Sequence, residues 1–158
     1  MIKIDQTLLD EVCRQAEGSA RKRKNYNFHT EAEDTLQRML NALQPDTYIT
    51  PHKHANPPKR EAFLVLQGKL LIVEFTEEGQ IADHTVLSQA EGGFGVEIPE
   101  GTYHSLIVLE PDTVIYEVKD GPYDPNSDKG FAPWAPTEED PDALAFNARI
   151  LKELGFTV

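Results

Sequence analysis

From Asp5 onward the apolar positions Ile4, Leu8, Val12 and Ala16 recur at helical spacing, with Asp5 placed to cap the first turn and Gly18 to end the last. A leading helix is predicted. Leu36, Met39, Leu40 and Leu43 suit a helix or a strand equally, so pattern alone leaves that segment open. Beyond Pro45 the texture changes to short runs of β-branched and aromatic residues, each closed by turn residues, as successive strands of a sandwich or barrel read. Residues 63–66 and 70–73 are unbroken apolar runs around Gln67-Gly68-Lys69 and are expected to be covered on both faces. Glu77-Glu78-Gly79-Gln80 reads as a hairpin loop. Ile98-Pro99-Glu100-Gly101 reads as a turn leading into a strand over 103–109, and Glu110-Pro111-Asp112 leads into another over 113–119. The count is about six strands.

The tail differs. Pro122, Pro125, Pro133 and Pro136 prevent residues 121–136 from pairing as a central strand, so an extended strap lying over the sheets is expected, held by its aromatics. Thr137 stands three residues ahead of Asp140 in capping-box fashion, Leu144, Ala148, Leu151 and Leu154 fall on one helical face, and Gly155 closes a second helix.

At 158 residues, 39% of them apolar and 27% charged, the chain has the size and composition of one folded domain rather than of a disordered or membrane protein. Subtracting 27 acidic from 15 basic residues leaves a net charge of −12, which repels phosphate backbones and anionic lipid, so nucleic acid and membrane partners are not expected. Cys13 is the single cysteine, which excludes an internal disulfide and an intrachain thiolate metal cluster. The N-terminus lacks a basic segment followed by a long apolar run, and a cytoplasmic location is the expectation. Arg21 to Lys24 places four cations together, read as a solvated segment in preference to a local anion site.

Three of the five histidines stand where a metal would use them. His52 and His54, two apart, project from the same side of extended backbone, Glu61 opens the next strand with an anionic oxygen, and His104 follows the Pro99 turn. Nitrogen ligands with one carboxylate suit iron, manganese, nickel, cobalt or zinc better than calcium or magnesium. An isolated HxH pair is a weak signal, since surface loops carry two histidines by chance. Here His52, His54, Glu61 and Gly68, followed by Gly93, Pro99, Gly101 and His104, resemble the two signature motifs of the cupin superfamily. The resemblance implies an all-β fold, a small single-domain cupin jelly-roll (double-stranded β-helix) barrel with an N-terminal and a C-terminal helix. It also implies His52, His54, Glu61 and His104 as ligands of one divalent transition metal ion. The chain departs from the pattern at Asp46 and Val108, neither a ligand position, and in six residues rather than three or four between His54 and Glu61.

Residues 23–29 (RKNYNFH), 37–54 (QRMLNALQPDTYITPHKH), 95–104 (GVEIPEGTYH) and 118–136 (VKDGPYDPNSDKGFAPWAP) resemble more closely the WbuC-type cupin fold metalloproteins, encoded in some bacteria among genes for lipopolysaccharide O-antigen assembly. This likeness implies a strand over 37–43, a barrel core of about 35–120 flanked by a helical arm over 1–30 and by the strap and helix of 121–158, and a sugar or sugar-nucleotide setting. The expected activity is that of a metal-dependent enzyme, an isomerase, epimerase or oxygenase, on a small polar molecule. The alternative is a non-catalytic binding or sensing module with a structural or ligand-orienting metal. Tyr48 shares the parity of His52 and His54 if the strand is regular that far, which makes its hydroxyl a candidate catalytic acid; packing on the barrel wall is the competing role. Asn25, Asn27 and His29 alternate on one face of an extended segment and could close the barrel opening, Asn27 and His29 being the candidate substrate-binding pair, with ordinary loop hydrogen bonding as the alternative. His84 reads as a surface residue, and Tyr123 and Trp134 as anchors of the strap or as platforms for a sugar ring. Barrels of this size with open sheet edges are expected to pair, most simply as a homodimer.

Overall fold

The computed structural model describes residues 1–156. Helix α1 (Gln6–Gly18) is capped by Asp5, whose carboxylate accepts from the Leu8 amide at 3.2 Å. Its buried stripe is Leu9, Val12, Cys13 and Ala16, packed on Leu40, Ala42 and Val114, while Ile4 remains exposed outside the helix.

Among the described residues ten strands follow where about six were expected: β1 (Arg23–Asn27), β2 (Leu36–Leu43), β3 (His52–Lys53), β4 (Glu61–Gln67), β5 (Lys69–Phe75), β6 (Ile81–Ser88), β7 (Gly95–Ile98), β8 (Tyr103–Val108), β9 (Thr113–Asp120) and β10 (Gly130–Phe131). They form two five-stranded sheets of antiparallel pairs, ordered β1-β2-β9-β4-β7 and β10-β3-β8-β5-β6. This is the cupin jelly roll. The main core lies between the sheets, where Leu43, Phe63, Val65 and Ile115 of the first meet Leu70, Ile72, Leu106 and Val108 of the second.

The extra strands are the polar or very short ones. β1 is polar throughout yet pairs along its whole length with β2, Arg23 opposite Leu43 through Asn27 opposite Met39. β3 and β10 are two residues each and pair with one another at the edge of the second sheet, the position a proline-flanked strap can occupy. The 70–73 run is buried on both faces as expected, but in the 63–66 run Leu64 is half exposed, because only the inner face of β4 is covered there. Gly68, at φ +76°, turns β4 into β5 so tightly that a Cβ would stand 2.4 Å from the Thr113 hydroxyl oxygen.

The strap folds back over the second sheet. Trp134 packs on Phe75, Tyr103 and Phe146 and donates its indole N–H to the Glu77 carbonyl at 3.0 Å, whereas Tyr123 and Phe131 remain largely exposed. The Thr137 amide and hydroxyl both bond the Asp140 carboxylate, but this box closes a turn ahead of helix α2 (Ala143–Glu153) rather than its first turn. Consequently the buried face is Ala143, Phe146, Asn147, Ile150 and Leu151, and Leu144, expected inside, is exposed. Among the described residues no helix is long and apolar enough to cross a membrane.

Candidate metal centre

Pairing of β3 with β8 sets His52 directly opposite His104, and His54 follows at the end of the same short strand. Glu61 enters from the facing sheet, fixed between Ile98 of β7 and Lys119 of β9. The four side chains are all buried, and one ligand atom from each lies within 4.8 Å of every other. The six-residue loop after His54 does not carry Glu61 away, because the Lys59 amide bonds the His54 carbonyl at 3.3 Å and β4 begins at Glu61 itself.

Each imidazole is oriented by a main-chain carbonyl. His52 Nδ1 lies 2.9 Å from the Thr50 carbonyl, His104 Nδ1 2.9 Å from that of Thr102, and His54 Nδ1 contacts that of Asp128. A carbonyl only accepts, so in all three rings Nδ1 carries the proton and Nε2 presents a lone pair. His104 Nε2 stands 2.6 Å and His54 Nε2 3.2 Å from Glu61 Oε1, yet these three atoms are buried without a hydrogen bond of acceptable geometry. Lone pairs converging on a carboxylate oxygen are unfavourable unless a cation sits among them. Burial, with help from the Lys129 charge, lowers the His52 pKa well below the ordinary imidazole value, which keeps the ring neutral. Neutral nitrogens and one anionic oxygen, dry and pre-oriented, fit a transition metal ion.

Behind the cluster lies a buried charge clamp. Asp128, from the strap, accepts from Lys59 Nζ at 2.6 Å on one oxygen and from Lys119 Nζ at 2.7 Å on the other, while its main-chain carbonyl holds His54. The strap, the long loop and β9 thus meet at a residue touching a cluster histidine. Spacing motifs gave no signal for this clamp. Its only trace in the sequence was an Asn-Ser-Asp-Lys-Gly segment in an otherwise proline-rich strap.

His52 and Glu61 open onto a cavity of about 440 Å³. Asn25, Asn27 and His29 of the β1 region line it, as do Asn41, Glu117, Lys119 and Lys129. His29 Nδ1 accepts from the Arg38 amide at 3.0 Å, which leaves Nε2 as its other ring nitrogen. Tyr48 is not among the lining residues. Its hydroxyl donates to the Pro136 carbonyl at 2.8 Å and its ring packs edge-on to Phe146, so the catalytic placement expected from strand parity does not occur: residues 44–51 do not form a strand, and the parity count fails there. Burial, with the Asp140 and Glu138 charges, pushes its phenol pKa up, away from proton transfer near neutrality. His84 is exposed on β6, far along the second sheet from β3. Of the cations of residues 21–24, Arg21 and Arg23 turn toward the cavity and pair with Glu138, at 3.9 and 2.5 Å. Glu117 was not singled out by spacing. It accepts from the Asn41 amide inside the cavity, and burial and the nearby Glu61 carboxylate raise its pKa.

The model of a domain of unknown function, DUF6016, matches residues 4–87. No curated protein matches the chain. Among solved structures, KdgF from Halomonas sp. matches with a TM-score of 0.51 at 18% identity, over 66% of this chain and 83% of that one. CapF in complex with the inhibitor 3-isopropenyl-tropolone gives 0.53 at 27% identity over 66% of this chain, and the capsular polysaccharide assembling protein CapF from Staphylococcus aureus gives 0.50 at 24% identity over 68%. The chain spans only 30% and 31% of those two CapF chains. The shared feature is the fold.

Proposed function

This chain belongs to the DUF6016 family of domains of unknown function, and we propose that it is a WbuC-type metal cupin acting as a metal-dependent enzyme on a small polar, sugar-derived molecule. The observation that carries the reading is the set of orphaned ligand atoms: Nε2 of His54 and of His104 and Oε1 of Glu61, buried without hydrogen bonds around one point. His52, His54, Glu61 and His104 would hold the ion, one of iron, manganese, nickel, cobalt or zinc. When bound, such an ion supplies Lewis acidity toward a carbonyl or hydroxyl oxygen.

The chain's own groups supply the rest. Asn27 and His29 offer hydrogen bonds to a substrate in the cavity. With Tyr48 turned away, Glu117 is the group placed to move a proton, since a carboxyl with a raised pKa can be protonated closer to neutrality than an ordinary one. The setting in saccharide assembly, lipopolysaccharide O-antigen included, is supported by the WbuC-like segments and by the 27% identity to CapF. The same site would serve a non-catalytic sensing or carrying cupin, a reading favoured by the withdrawal of Tyr48 from the cavity.

The test begins with metal analysis of protein purified without added metal, expected to give close to one transition metal ion per chain. His52→Ala and His104→Ala should lose most of it, whereas His29→Ala and His84→Ala should retain it. Full occupancy in a His52/His104 double mutant would refute the metal centre. Turnover of a sugar or sugar nucleotide that Glu117→Gln abolishes without metal loss separates the enzyme from the binding module.

A further inference from the structure

Four cationic side chains line the cavity, and three of them have partners. Arg23 is held by Glu138 at 2.5 Å and donates to the Tyr48 carbonyl at 2.9 Å, Arg21 lies 3.9 Å from Glu138, and Lys119 is bound to Asp128 at 2.7 Å. The fourth, Lys129, forms neither a hydrogen bond nor an ion pair among the described residues. Its side chain is exposed where it borders the cavity, open to anything that enters, and its charge is felt at His52. Glu117 and Glu61 are the opposite charges felt at Lys129, but neither forms an ion pair with it. An ammonium that borders the cavity and has no protein anion is available to pair with an anionic ligand there.

Asn41 makes the complementary demand. It is 92% buried by its 8% relative exposure, its amide nitrogen is spent on Glu117, and its Oδ1 is buried without a donor. A buried acceptor of this kind needs an N–H or O–H from something in the cavity. The volume, about 440 Å³, sits toward the low end of ligand pockets and suits one sugar-sized molecule. Tyr123 and Phe131, exposed aromatics on the strap, also border the cavity and offer flat apolar faces to a ring.

We infer that the cavity binds a small hydroxylated anion, a sugar-sized molecule whose carboxylate or phosphate is received by Lys129 and whose hydroxyl donates to Asn41. This rests on the reading of the cavity as the ligand pocket of a metal cupin and adds the charge of what it takes. The chain as a whole, at −12, repels anions, so attraction has to be local, and binding should weaken as salt screens it.

The experiment is calorimetric titration of the full chain, with metal content measured on the same samples, against glucuronate, glucose 6-phosphate and glucose. At least one of the two anions should bind roughly tenfold or more tightly than glucose, the scale of a hydrogen bond to a charged group. Lys129→Met should erase that preference with metal content unchanged, and Lys129→Arg should keep most of it. Tighter binding of glucuronate assigns the oxyanion as carboxylate, and tighter binding of the 6-phosphate assigns it as phosphate. Equal binding of glucose, no detectable binding of either anion, or a preference that survives Lys129→Met overturns the inference. Should wild-type protein take up no metal, the metal-cupin reading falls, while the anion preference and its loss in Lys129→Met still judge Lys129.

Discussion

Asp128 compensates two buried ammonium groups at once. Burial by itself would raise its pKa, but the hydrogen bonds from Lys119 and Lys59 and their charges prevail and hold the carboxyl below its ordinary value. Asp128→Asn removes the counter-charge and leaves Lys59 and Lys119 facing each other in a dry site, a change expected to cost about 3 to 5 kcal/mol. Thermal unfolding should show it as a drop in Tm of roughly 10 °C. A carboxyl depressed in the folded state contributes stability that is present above its unfolded pKa and lost as pH falls through the folded one. The gap between wild type and Asp128→Asn should therefore be full at pH 6 to 8 and shrink below about pH 4. Equal melting of the two proteins at pH 7 would show that the clamp contributes nothing net.

At the scale of elements, the strap is tied down through the loop that joins β5 to β6. Gly79 adopts φ +85° there, and a Cβ on it would stand 2.6 Å from the Trp134 ring. Gly79→Ala should cost about 1 to 3 kcal/mol, from backbone strain and displacement of the indole, and blue-shifted tryptophan emission should move red. Deleting residues from Gly121 onward removes Trp134, Phe146, Ile150 and Leu151 together, each contributing up to about 1.5 to 3 kcal/mol when buried, so insoluble or molten protein is expected. An unchanged Tm in that truncation would refute the packing. The elements that spacing revealed are those whose two faces differ or whose turns carry proline and glycine: α1, the β5–β6 hairpin loop and the strands after Pro99 and Pro111. β2 resisted because both of its faces are buried, one under α1 and one over the cavity, which erases the alternation that marks a strand. β1 escaped because its paired residues are polar, facing the cavity rather than a core. In α2, Leu151 belongs to both the expected and the observed stripe, so the correct helix carried the wrong face. The histidines and Glu61 were legible because a metal demands fixed residue types at fixed spacings. Asp128, Lys59, Glu117 and Lys129 were not, since their meeting depends on how a loop and a strap close over the sheets.

For the whole molecule, the sheet edges decide how it behaves in solution. β1, β7 and β10 are edges of five, four and two residues, and α1 packs against β1. β6 is an eight-residue edge, with Ala82, Asp83, His84 and Thr85 exposed and one row of main-chain donors and acceptors facing outward. Such an edge is a template for a second strand, and two copies related by a twofold axis would extend the sheet from five strands to ten. Opposing this, each copy carries a net charge of −12, so association costs electrostatic work that salt reduces. The expected outcome is a homodimer whose population rises with ionic strength: light scattering at micromolar concentration should give twice 17.7 kDa in moderate salt and move toward 17.7 kDa as salt is removed. His84→Pro, which removes a main-chain donor that points away from β5, should shift the mass toward the monomer while the metal content stays at the wild-type level, because β8 and β5 separate β6 from β3. A mass of 17.7 kDa at every salt concentration would mean that β6 is left unpaired and that its exposed Asp83 and neighbouring polar residues suffice to keep other chains away.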